Sequence, residues 1–68
     1  MLMKIDENLK KLREEHKMTQ QDLANAIGVD RSLIAQIERG SRLPSIPIGK
    51  KIADYFGISL DKLISEQV

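Results

Sequence analysis

The sequence predicts an all-α domain, a compact arrangement of five short helices joined by tight loops. Three observations carry that expectation. Apolar residues recur at three- and four-residue intervals in five separate windows. Each window opens on or just after an Asp, Thr or Ser, and Gly28, Gly40, Pro44, Pro47, Gly49 and Gly57 punctuate the stretches between and around them. No run alternates apolar with polar over the length of a strand, and aromatic residues are only 3% of the chain, so strand signals are poor. At 68 residues the chain is long enough for one domain, taken as 1–68, with a modest core. It has no cysteine, hence neither a disulfide nor a cysteine-based metal site to add to that core.

The elements follow in order. Helix one is expected over about 6–16, with Leu9 and Leu12 on one face, Ile5 leading in, and Lys and Glu outside. Helix two, about 20–27, starts behind Thr19, a good N-cap, and Asp22 favours its positive end. Leu23, Ala24 and Ile27 form its stripe and Gly28 stops it. Helix three, about 31–39, starts behind Asp30 and ends at Gly40. Helix four, about 46–56, follows Ser45, tolerates Pro47 in its first turn, and turns Ile48, Ile52, Ala53 and Phe56 inward. Helix five, about 60–66, follows Ser59 with Leu60, Leu63 and Ile64 inward. Tyr55 and Phe56 are expected to serve the core rather than to stack on bases.

The stretch TQQDLANAIGVDRSLIAQIERG, residues 19–40, does more than form two helices. Helices that cross steeply need a small residue at their contact, which Ala24 supplies. A turn of about three residues between them needs a positive φ, which Gly28 adopts without Cβ strain. Leu23, Ile27, Val29, Ile34 and Ile37 then clamp the pair onto a shared core. This is helix-turn-helix spacing, in which the second helix enters the DNA major groove. Turning helix three by about 100° per residue puts Ile34 and Ile37 on one side. Arg31, Ser32, Ala35, Gln36 and Arg39 fall on the other, with Leu33 on the flank. Arg, Ser and Gln hydrogen-bond base edges or phosphates, and Ala35 is small enough to allow close approach. Glu38 falls near the buried side and needs a partner, for which Arg13 is the candidate.

Charge agrees with that face. The net charge is only +1, but residues 28–51 carry Arg31, Arg39, Arg42, Lys50 and Lys51 against Asp30 and Glu38. The flanking thirds are neutral and acidic. A local basic patch suits a polyanion.

These residues resemble the phage-repressor and Cro-type helix-turn-helix domains, the XRE family. The likeness runs from about Leu9 to Leu63. It is carried by LR in helix one, TQ..LA..IGV in helix two, I..IERG closing helix three, Pro44, and IADYFGISLDKL. The resemblance implies a lambda-repressor-like five-helix fold that binds double-stranded DNA and regulates transcription. Position by position, it implies base reading by Arg31, Ser32 and Gln36 and phosphate contacts from Gln20, Arg39 and Arg42. It also implies an internal salt bridge between Arg13 and Glu38. Pro47 and Gly49 depart from the family pattern, which favours helix formers there, so helix four is expected to start late or to bend.

The reading is therefore of a sequence-specific regulator, a repressor, acting as a homodimer on a palindromic operator. Helices four and five or the tail, with Ile64 and Val68, are the candidate dimer contacts. The alternative is an antitoxin or small interaction module with a protein partner. No catalytic residues, cofactor or metal site are expected: no nucleophile stands beside a base, there is no Gly-rich phosphate loop, and the lone His16 is read as a helix-end surface residue. No apolar run approaches the roughly 20 residues of a membrane span. MLMKI is too short and too soon charged for a signal peptide. A cytoplasmic protein is expected.

Overall fold

The computed structural model describes residues 4–66 and 68. Residues 1–3 and 67 lie outside it, and with them most of the MLMKI start. Among the described residues there are five helices and no strand: α1 Ile5–Glu15, α2 Gln20–Ile27, α3 Arg31–Glu38, α4 Ile46–Phe56 and α5 Leu60–Ser65. Relative to the periodicity, α1 sits one residue earlier, and α3 and α5 stop one residue sooner, at Arg39 and Glu66 caps.

The helix starts follow from capping chemistry. The Thr19 hydroxyl accepts from the Asp22 N–H at 3.0 Å, and the Asp22 carboxylate accepts from the Thr19 N–H at 2.9 Å. This reciprocal box satisfies two otherwise orphaned donors of α2. Ser45 and Ser59 cap α4 and α5 from one side only, each hydroxyl accepting from the N–H three residues on. Asp30 holds the N-cap position of α3, but its carboxylate accepts from Ser32 Oγ at 3.1 Å instead of from the helix. A short acidic side chain at a helix start can satisfy either partner, and here the neighbouring hydroxyl wins. Gly28 closes α2 in the left-handed region at φ 74°, with the Val29 N–H returning to the Ala24 carbonyl.

Helix α4 does not start late. It begins directly after Ser45 and runs unbroken, with Pro47 in its first turn where no N–H is needed. Gly49 is buried, and a Cβ there would sit 3.1 Å from Leu60 Cδ1. Glycine lets the start of α5 approach the α4 backbone, which explains a residue that local helix propensity disfavours.

Leu9, Leu23, Ile34, Ile37, Ile52 and Leu63 are fully buried, so every helix supplies at least one core side chain. Helix α3 packs on α2 and α1, α5 on α1 and α4. Phe56 packs against this core, but Tyr55 does not: it is 47% exposed and meets only the edge of Phe56 among the aromatic rings. Ile52, Ala53 and Phe56 occupy the inner face of α4, and Tyr55 lies off it. His16 is exposed, with Nδ1 2.8 Å from the Leu12 carbonyl and its ring edge-on to Phe56.

The one fully buried polar side chain among the described residues is Asn8. Its amide donates to the carbonyls of Leu63, at 2.8 Å, and Glu66, and its oxygen accepts from the Val68 N–H at 3.4 Å. The Lys4 N–H adds a bond to the Ile64 carbonyl at 2.6 Å. Helix α1 thus caps the carbonyl end of α5, and Ile64 and Val68 are partly buried against the core.

Candidate nucleic-acid interface

The face of α3 away from the core carries the expected readers. Ile34 and Ile37 are fully buried, while Arg31, Ser32 and Arg39 are exposed and Gln36 is half-buried. The packing of α3 on α1 and α2 leaves both Arg31 and Ser32 exposed. Arg42, on the chain leaving α3, is exposed, with Nη1 3.5 Å from Gln36 Oε1, at the outer limit of a hydrogen bond.

Behind this face, Arg13 and Glu38 form a two-point pair, Nε to Oε2 at 2.7 Å and Nη2 to Oε1 at 3.0 Å. Their side chains are only 12% and 5% exposed. Arg13 Nη1 also donates to the Met18 carbonyl at 2.7 Å. The hydrogen bonds Arg13 donates to Glu38 raise the Arg13 pKa above its ordinary value, partly opposed by burial. Gln20 Nε2 donates to the same Glu38 Oε1 at 3.2 Å. One carboxylate therefore ties the end of α3 to α1 and to the start of α2. It fixes the Gln20 amide while leaving one of its two N–H groups unspent.

Lys10, Arg13, Gln20, Arg31, Ala35, Glu38 and Arg39 line one shallow cleft of about 430 Å³. The structure thus gathers Gln20, Arg31 and Arg39 with the Arg13–Glu38 pair. Gln36 and Arg42 stand together apart from it, and Ser32 is engaged with Asp30. Sequence reasoning missed Lys10. Its only signal is its position three residues before Arg13, one turn along the same helix face.

The helix-turn-helix family profile matches residues 9–63, which span all of α2, α3 and α4. The chain belongs to this helix-turn-helix family. It is 42% identical over 55 residues to an uncharacterised HTH-type transcriptional regulator of Methanocaldococcus jannaschii, covering 81% of this chain and 83% of that one. The immunity repressor of Bacillus phage phi105 is 32% identical over 65 residues, 96% of this chain but only 45% of its own length. The crystal structure of the restriction-modification controller protein C.AhdI from Aeromonas hydrophila superposes with a TM-score of 0.80 at 33% identity. That match covers 88% of this chain and 91% of the controller. This helix-turn-helix chain has no described helix long and apolar enough to cross a membrane.

Proposed function

We propose that this protein is a sequence-specific double-stranded DNA-binding transcriptional regulator, a repressor, that reads the major groove with α3. The observation that carries the reading is the split of α3: Ile34 and Ile37 buried, Arg31, Ser32 and Gln36 on the uncovered face. Arg31, Ser32 and Gln36 choose bases, while Gln20, Arg39 and Arg42 hold phosphates and set register. The roles of the matched relatives favour this reading over an antitoxin or another interaction module. A role at DNA also carries cytoplasmic localisation and needs no catalytic chemistry.

A domain of this size covers few base pairs, so useful specificity calls for a homodimer on a palindromic operator. An apolar groove of about 200 Å³ lined by Ile5, Leu43, Pro44, Ile46 and Ile64 supports a dimer contact there. Leu43 and Ile46 are 58% and 68% exposed there, on the segment that leads away from the reading helix. A second copy on this face would stand beside α3.

Selection of binding sites from random duplex DNA tests the reading directly. Half-sites about one helical turn apart are expected. On the selected duplex, Gln36→Ala should lose roughly 1–3 kcal/mol of base discrimination while retaining non-specific binding. Arg39→Ala should weaken binding to selected and scrambled DNA alike. Equal losses on both duplexes for Gln36→Ala would remove its base-reading role.

A further inference from the structure

We propose that Lys10 of α1 is a third-element DNA contact, closing a seat for one backbone phosphate against Arg39 and Gln20. The inference rests on the DNA-reading role above and adds to it a residue outside the helix-turn-helix pair.

Three helices converge on the cleft: Lys10 and Arg13 from α1, Gln20 from α2, and Arg31, Ala35, Glu38 and Arg39 from α3. Its charges are not balanced. The only carboxylate in its lining, Glu38, is engaged at two points by Arg13, and that is the one ion pair among the described residues. Lys10, Arg31 and Arg39 are exposed and face the remaining space without a carboxylate partner there. Three cations around a concave surface repel one another, and an anion in the cleft relieves all three at once. Gln20 has one amide N–H left after Glu38 takes the other, which supplies a directional donor beside the charges. Arg31 and Arg39 lie on the same helix as the reading face, so the cleft flanks that face and not a remote surface. The phosphodiester backbone of the duplex that α3 reads is the anion this placement meets.

Lys10 also has a fixed base. Arg13, one turn on, is held to Glu38 and the Met18 carbonyl, which locks the register of α1 against α3. A long lysine stem from that position can then reach the backbone as a point charge without a preset fork.

The test measures affinity for a duplex selected by the wild-type protein, and for its scrambled counterpart, as a function of KCl. Lys10→Ala should weaken both duplexes alike and reduce the slope of log K against log salt by about one unit. Between about 50 and 200 mM KCl the wild-type affinity drop should shrink about fourfold in that variant. Lys10→Arg should retain the wild-type slope, and Lys62→Ala, on the outer surface of α5, should leave it unchanged. Thermal melting of each variant separates a lost contact from a lost fold. A wild-type slope and affinity for a folded Lys10→Ala overturns the phosphate seat while leaving the DNA-reading role standing. A wild-type protein that binds no duplex with salt-dependent affinity removes the DNA-reading role itself, and the seat with it.

Discussion

Glu38 shows how one residue serves both fold and site. Its carboxylate joins Arg13 and Gln20 while only 5% of its side chain is exposed. Removing it leaves a partly buried guanidinium without its anion and a glutamine amide without its guide. Such a loss costs far more than the net contribution of an exposed ion pair, since the remaining charge stays desolvated. We expect Glu38→Ala to destabilise the fold by about 3 kcal/mol in urea unfolding. A double-mutant cycle with Arg13→Ala should be strongly non-additive, because the second deletion removes the stranded charge. Additive losses would mean that the two groups act independently. The pair was legible in the sequence because the helical angle of Glu38 puts it near the buried side. Gln20 joining it was not, since nothing local to residue 20 records the position of residue 38.

The helices are bounded by chemistry that the sequence displays, with one exception. Gly28 and Gly57 take left-handed conformations after α2 and α4. The corresponding residue after α1 is Lys17, at φ 56°. The Met18 N–H returns to the Arg13 carbonyl and the Lys17 N–H to that of Glu14, so the turn is a full Schellman close built on a side chain that resists it. Lys17 is exposed and has no resolved hydrogen-bond role for its ammonium. Lys17→Gly should therefore relieve the steric cost, offset in part by extra unfolded-chain entropy. We expect a gain of about 0.5–1 kcal/mol, read as a higher melting temperature. A lower melting temperature would show that the left-handed turn is unstrained. The same logic of backbone need explains Gly49, whose missing Cβ makes room for Leu60. In sequence it looked like a flaw in helix four, because the reason for it stands eleven residues away on another helix.

At the scale of the whole molecule, the two ends of the chain are joined by Asn8. Without its amide, the Leu63 and Glu66 carbonyls at the end of α5 lose their buried donor. We expect Asn8→Ala to cost about 1–3 kcal/mol, with hydrogen exchange accelerated most in α5. Exchange that rises equally in all helices would show that α5 does not open separately from the rest. This closure matters for the proposed site, since α1 is held by α5 on one side and presents Lys10 and Arg13 to α3 on the other. It also sets Ile64 beside Ile5, Leu43 and Ile46, the apolar groove assigned to the second copy.

The sequence by itself determined five helices, their caps at Thr19, Ser45 and Ser59, the core stripe, and which side of α3 faces outward. These are properties of spacing within about one or two turns, and the 3.6-residue period records them directly. Only the tertiary structure decided that Lys10 shares a cleft with Arg39, that Asn8 holds α5, and that Asp30 turns to Ser32 instead of capping its helix. Each depends on where separate side chains converge or on which of two nearby partners a polar group takes. Helical period is blind to both, because it fixes a residue's angle on its own axis and not the distance between axes.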